Sequence, residues 1–162
     1  MSDMLLKAPL TYEPLRNNRW LIRFPSDLGI MEWTLATAAR PNLTQNETEM
    51  QFINTSTWVL GRYIWETLEI TIRDMIGPSG SQAIMEWVRL GTESVTGRQG
   101  YAAGYKRDVE IEMLDPTGVV VQKWILKNTM ITNVNFGALD YSDDNIATIT
   151  ATLRYDYAIL CY

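Results

Sequence analysis

RDVEIEMLDPTGVVVQKWIL, Arg107 to Leu126, is the stretch from which the rest of the chain can be read. Val109, Ile111 and Met113 alternate with Asp108, Glu110 and Glu112, the period of a strand with one buried face. DPTG follows with Asp115 first, Pro116 second and Gly118 last, the residue order of a type I turn. VVVQKWIL then returns antiparallel. The hairpin has an apolar face for a core and an acidic face away from it.

The same period recurs on both sides of the hairpin. NRWLIRF puts Trp20, Ile22 and Phe24 on one face. MEWTLATA gives a second strand, closed by Pro41. TEMQFIN sets Glu47, Glu49 and Gln51 against Met50 and Phe52. ETLEITIRD turns Leu68, Ile70 and Ile72 inward. Downstream, TMITNVNFGAL is expected as a separate strand and DYSDDN as a loop. IATITATLRYDYAIL is expected as one last strand, with Ala147, Ile149, Ala151, Leu153 and Tyr155 facing in. One helix interrupts the series at 79–90. Ser79 and Gln82 stand at capping-box spacing, and Ala83, Ile84, Trp87, Val88 and Leu90 form an apolar stripe. Residues 91–106, with four glycines, are expected as a flexible loop. Residues 55–65, with Trp58, Tyr63 and Trp65 around a Gly-Arg pair, are expected to project as a hairpin or extended loop. About seven or eight strands and one helix give an all-β sandwich or barrel class. The 162 residues suit a single domain with an N-terminal arm at 1–16.

Composition narrows the chemistry. With 14 basic and 19 acidic residues the formal charge is −5, which argues against a broad basic surface gripping nucleic acid. The chain has no histidine, so Ser-His and Cys-His nucleophile pairs and imidazole metal ligands are excluded. The single cysteine, Cys161, allows no internal disulfide. MSDMLLKAPL has only a two-leucine run before Lys7, too short for a signal peptide, and no stretch reaches the length of a membrane span.

Three constellations can carry chemistry. Glu110 and Glu112 lie two apart on one face, as a glycosidase pair could, but solvated acids belong on that face of a strand. Asp140, Asp143, Asp144 and Asn145 offer oxygens for calcium, but at no EF-hand spacing and without the required glycine; a polar turn accounts for them. Trp58, Tyr63, Trp65, Trp87, Trp124, Tyr155 and Tyr157 are aromatic enough to stack sugars or bases, although aromatics alternating along strands are usually core or subunit interface. Trp58, Tyr63 and Trp65 differ in clustering on the projection, which points to a protein contact. No cofactor, metal site or catalytic group is indicated.

The order of these segments resembles the tail tube proteins of contractile-tailed bacteriophages. NRWLIRF matches that family's opening strand, ATAARPN the segment after its second strand, and SQAIMEWVRL its helix. RDVEIEMLDPTGVVVQKWILKNTMITNVNFGALDYSDDNIATITATLRYDY matches its hairpin, its Trp-x-Leu return strand and a closing strand ending in Tyr-Asp. The resemblance covers the chain from about Asn17.

It implies a mainly β fold, an antiparallel β-sandwich or small barrel with one flanking helix. It also implies a non-enzymatic homo-oligomer: hexameric rings stacked into a hollow tube. Implied partners are a tail sheath protein, a baseplate or tube initiator, a tape measure protein and a tail terminator, with phage DNA passing down the lumen unbound. The implied location is the virion tail, assembled in the host cytoplasm. On that reading Glu47, Glu49, Glu110 and Glu112 line the lumen and repel phosphate, while Trp58, Tyr63 and Trp65 are inter-subunit anchors. The type VI secretion tube and other contractile injection systems share the implied fold. A small-ligand-binding β-barrel is the alternative of a different class.

Overall fold

A computed structural model describes residues 12–162 of the chain; most of the expected arm 1–16 lies outside the described residues. The elements in chain order are β1 Trp20–Arg23, 3-10 turns at Ser26–Leu28 and Glu32–Thr34, β2 Leu35–Thr37, β3 Leu43–Gln51, β4 Ser56–Trp65 and β5 Leu68–Arg73. Then come α1 Gly80–Gly91, α2 Ala102–Tyr105, β6 Arg107–Leu114, β7 Val120–Asn135, β8 Thr148–Arg154 and β9 Tyr157–Leu160. Seven strands form one curled antiparallel sheet in the order β1-β6-β7-β8-β5-β2, with β9 also paired to β7. Among the described residues, β3 and β4 pair only with each other. The architecture is mainly β, an open half-barrel.

The curl turns on β7. Its first part pairs with β6 and β9, and its second part, from Met130 to Asn135, pairs with β8. Between them Asn128 takes φ 55°, a left-handed conformation that Asn tolerates better than most residues. The two strands expected at 119–126 and 129–139 are therefore one strand with a bend. The single strand expected from Ile146 to Leu160 is instead two, because its partner bends: β8 follows β7 on one side of Asn128, and β9 follows it on the other.

A polar cluster holds the corner. Asn128 donates its backbone N–H to Asp108 at 3.1 Å and its side-chain amide to Asp156 at 2.8 Å. Lys127 pairs with Asp108 at 2.8 Å and Lys106 with Asp156 at 3.2 Å. The hydrogen bond from Lys127 holds the Asp108 carboxyl below its ordinary range, and the one from Asn128 does the same for Asp156.

The core fills the concave side of the curl. Ile22, Val109, Leu126, Ile70, Ile72 and Leu153 are fully buried there, and α1 closes it with Ile84 and Trp87. The Trp87 ring meets Phe24 edge-on, with centroids 6.2 Å apart. Ser79 caps α1 by accepting from the Gln82 N–H. Asp74, at the end of β5, accepts from the N–H groups of Gly80 and Ser81 at 3.1 and 3.3 Å, so the orphan donors of the first turn are met. Leu90, expected on the apolar stripe, is exposed, since the buried face runs through Ile84, Trp87 and Val88.

The loop expected at 91–106 is a compact turn followed by a second, four-residue helix, α2, beyond the one helix anticipated. Thr92 bridges Gln99, and the Trp87 indole N–H donates to the Tyr105 carbonyl at 2.8 Å. Gly100 permits this closure: a Cβ there would lie 2.5 Å from the Leu90 carbonyl oxygen.

The outer face of β1, β6 and β7 is a ladder of opposite charges. Arg23 Nε donates to Glu112 at 2.9 Å, Lys123 pairs with Glu110 at 3.0 Å, and Lys127 with Asp108. Glu112 is only 5% exposed, and Arg23 is the cation that meets its carboxylate. Arg23 itself is half-exposed and held in its charged form first by that hydrogen bond.

Two predictions follow from these geometries. Arg23→Ala strands a buried carboxylate and should cost about 1–2 kcal/mol, discounted for the access water has to the arginine, whereas Glu112→Gln should cost less. Urea unfolding of both variants at neutral pH gives the comparison. Asn128→Val forces a β-branched residue to positive φ and removes the Asp156 bond, for a loss of about 2 kcal/mol. Asn128→Gly removes only the bond and should lose less by the same measurement.

Candidate functional site

A ribbon carrying exposed apolar side chains leaves the sheet. β2 and β5 pair as Leu35↔Ile72 and Thr37↔Thr71, and the same two chain segments pair again as β3 and β4, from Leu43↔Trp65 to Gln51↔Ser56. The Glu66 N–H bonds to the Asn42 carbonyl at 2.9 Å and makes the two pairings one continuous ribbon. β5 has β8 on its other side, but β4 has no second neighbour among the described residues. Strands of nine and ten residues, about 30 Å long, therefore lead away from the body, with both edges unpaired among the described residues. The projection expected at 55–65 is one half of this hairpin, and the strand that carries Glu47 and Glu49 is the other.

A bulge decides its faces. Gln45 pairs with Tyr63 but Glu47 with Leu60, so Gly61 and Arg62 together oppose Asn46. Gly61 suits that site because a Cβ would come within 3.4 Å of the Asn46 carbonyl oxygen. The extra residue breaks simple alternation. Trp58 and Leu60, at even positions, come onto the same face as Tyr63 and Trp65, at odd ones. Glu47 and Glu49 are directly cross-strand from Leu60 and Trp58, on that face too. Trp58, Leu60 and Tyr63 are 56%, 73% and 62% exposed.

Trp65 differs from the other expected anchors. It sits at the ribbon's root, packs on the core and lies 6.2 Å from the Tyr155 ring. The aromatic face of the ribbon is thus the core face of the sheet, carried past the point where any of the described residues covers it.

Beyond the charge ladder of β1, β6 and the first part of β7, the opposite face of the sheet, on the second part of β7 and on β8, β5 and β2, is mostly uncharged and polar. One row runs Thr37, Thr71, Thr150, Asn135 across four strands, and a second runs Glu69, Thr152, Asn133. Arg73 and Arg154 are its other charged members. Along the ribbon this face is mixed: Thr44, Thr48 and Thr57 lie directly across from Ile64, Val59 and Met50, which are exposed too.

The four expected lumen glutamates do not share a surface. Glu47 and Glu49 stand on the aromatic face of the ribbon. Glu110 and Glu112 stand on the main sheet in ion pairs, where burial of Glu112 and the cations Lys123 and Arg23 leave little free negative charge. Asp140 and Asp143 accept from the N–H groups of Ser142 and Asn145 at 3.0 Å each, so these carboxylates shape the 140–145 loop. The acceptance of the Ser142 bonds keeps the Asp140 carboxyl below its ordinary range. Trp87 and Tyr155 point into the core, while Tyr157 is exposed on β9.

Leu60 and the threonine rows were not anticipated as functional surface. The glycine inside a strand pattern is the signal that could have found Leu60, since it marks a bulge and hence a change of facing.

Solved structures share this arrangement of sheet, ribbon and helix. A chain of the anti-feeding prophage (AFP) baseplate, 6-fold symmetrised, is 15% identical, with 93% of this chain and 97% of that chain covered at a TM-score of 0.70. A chain of the PVC sheath/tube terminator in extended state, from an extracellular contractile injection system, is 14% identical over 94% and 99%, at 0.75. Hcp1 from Flavobacterium johnsoniae is 8% identical over 88% and 94%, at 0.55. At these identities the likeness is one of fold. No curated protein matches the chain. The sequence itself matches a family model described as T4-like virus tail tube protein gp19 over residues 53–159. That span runs from the tip of the ribbon, through the helix and the bent β7, into β9, and on it the chain belongs to the T4-like virus tail tube protein gp19 family.

Proposed function

We propose that this chain is the non-enzymatic repeating subunit of the inner tube of a contractile phage tail, six copies to a ring, with rings stacked into a tube that conducts the genome. The observation that carries the reading is the ribbon. An isolated two-stranded hairpin is marginal in water, and this one presents Trp58, Leu60 and Tyr63 on one face and bare edges on both sides. Covering that face with a second copy buries the apolar side chains, and further copies beside it can meet the edges. Sheath, baseplate initiator, tape measure and terminator are the partners such a tube requires. Similarity to a chain of an extracellular contractile injection system supports a second reading, the same tube with another cargo.

In this tube the helix-bearing side of the sheet faces outward and the Thr/Asn face lines the bore. Hydroxyls and amides with few charges neither hold phosphate through counterion release nor repel it strongly. This replaces a wall of glutamates with a nearly neutral one. A closed ligand-binding barrel is a poorer account, because the sheet is open and its concave side is filled by Ile70, Ile72, Leu153 and Trp87.

Negative-stain electron microscopy of the purified protein across a concentration series should show hollow six-fold rings or tubes. Trp58→Ala with Tyr63→Ala should abolish them while leaving the melting temperature nearly unchanged, since both residues are exposed in the single copy. Wild-type protein that stays monomeric, with or without a baseplate seed, excludes the tube. Thr150→Lys should leave tubes intact but slow DNA ejection, more so at low salt. Unchanged ejection kinetics would remove Thr150 from the bore.

A further inference from the structure

The two edges of the curled sheet leave a gap between them. β1 is one edge and β2 the other, each paired on one side only among the described residues. Trp20 of β1 lies across from Met113 of β6, and Ile22 across from Ile111. Trp20, Ile111 and Met113 form the floor of an open cleft there, and Ala38, Ala39 and Arg40, just after β2, form its wall. The cleft holds about 270 Å³. An apolar cavity of roughly 150 Å³ takes one benzene-sized group, so this one has room for about two aliphatic side chains. Arg40, at the polar end of the wall, is exposed and has no carboxylate partner among the described residues.

The chain itself enters the fold at this cleft. Asn17, shortly before β1, is the remaining lining residue. Glu13 reaches Arg19 at 3.6 Å, and the Arg19 N–H donates to the Arg16 carbonyl at 3.3 Å, so the stretch before β1 is turned back on the start of that strand. Residues 1–11 read MSDMLLKAPLT, with Met4, Leu5 and Leu6 as an apolar run and Asp3 as the one acid. Leu6 stands eleven positions before Asn17, a reach of up to about 35 Å when extended, so the whole cleft is within range. A segment tethered this closely is present at an effective concentration on the order of millimolar, an advantage over any free partner. Its run of apolar residues suits the floor, and its acid suits Arg40.

We infer that this cleft is the seat of the chain's own N-terminal arm, with the Met4-Leu5-Leu6 run against Trp20, Ile111 and Met113 and Asp3 toward Arg40. The arm then bridges the two edges of the sheet and closes the half-barrel at a place where α1 contributes no residue. Apolar surface leaves water on both the arm and the floor. The arginine at the rim gains a counter-ion, a weak one since it is exposed. An edge covered in this way is also closed to strands from elsewhere. The contact lies within one chain, so it holds whether or not the chain builds a tube.

Paired cysteines in the full chain test it, on a Cys161→Ser background. Ala39→Cys is combined in turn with Met4→Cys, Leu5→Cys and Leu6→Cys. In the controls Val95→Cys, exposed in the turn after α1, takes the place of Ala39→Cys. Isotopically light and heavy chains are mixed and oxidised, and the linked peptides are read by mass spectrometry. At least one arm position should link to position 39 at least about tenfold faster than to position 95, and only light with light and heavy with heavy. Adding Leu5→Asp and Leu6→Asp to the Met4→Cys, Ala39→Cys pair should slow its linking at least about tenfold. Equal rates to positions 39 and 95 mean that the arm has no seat, and overturn the inference. Links between light and heavy chains place a neighbour's arm in the cleft and overturn it as well. A rate that the two aspartates leave unchanged shows nearness without burial and removes the apolar seat. Each of these failures leaves the tube reading where it was.

Discussion

The bend of β7 at Asn128 is the constraint on which the rest of the structure depends. β7 is hydrogen-bonded to β6, β8 and β9, more neighbours than any other strand among those described. A straight strand of sixteen residues would hold its partners in one nearly flat sheet. One residue at φ 55° redirects it, so the β1–β6 side and the β8–β5–β2 side face each other across a single core. The corner is fixed by charge as well as by backbone. Asp108 and Asp156 each accept from Asn128 and each hold a lysine. Without the curl, α1 would have no concave surface to fill with Ile84 and Trp87.

The same curl explains why a ribbon escapes. β2 and β5 lie at the far edge of the sheet, where the bend has carried them around the core. Past Leu68 the core thins out at Trp65, and after an offset of one residue between Leu68 and Trp65 and the bulge at Gly61 one face carries Trp65, Tyr63, Leu60 and Trp58. An apolar face that outruns its own core is unstable in water unless another surface meets it. Trp65, half-covered by Tyr155, marks the boundary between the part of the face the chain covers and the part it leaves for another surface.

Much of this was legible in the sequence because it rests on short-range pattern. The alternation at Val109, Ile111 and Met113, the DPTG turn and the Ser79 cap are local, and each takes the form expected. In the turn, Asp115 accepts from the Thr117 and Val119 N–H groups at 2.9 and 2.8 Å. What was not legible depends on one residue changing the direction of many. The merger of two strands into β7 hangs on Asn128, which sits in an unremarkable Lys-Asn-Thr run. The division of the last strand into β8 and β9 is its consequence and carries no signal of its own beyond Tyr155–Asp156. In the ribbon, Gly61 does the same: period-two counting separates Trp58 from Tyr63, and the bulge reunites them. Asp74 was missed as a helix cap because it lies six residues before Gly80 and reaches it through the fold.

The acids show where pattern reading stops. Counted along their strands, Glu47, Glu49, Glu110 and Glu112 are alike: each is a carboxylate on the face opposite an apolar one. Their neighbours across the sheet make them different. Glu110 and Glu112 face Lys123 and Arg23, so their charge is spent inside one subunit, holding three strands in register. Glu47 and Glu49 face Leu60 and Trp58, so their charge is left over on a surface that otherwise wants to be covered. A carboxylate beside exposed aromatics resists burial unless a cation comes with the covering surface. The two glutamates therefore restrict what can sit on the ribbon. A purely apolar partner is disfavoured, and a surface that brings its own arginine is favoured, which is how an adhesive arm can be kept from sticking to the wrong surface before it meets the right one.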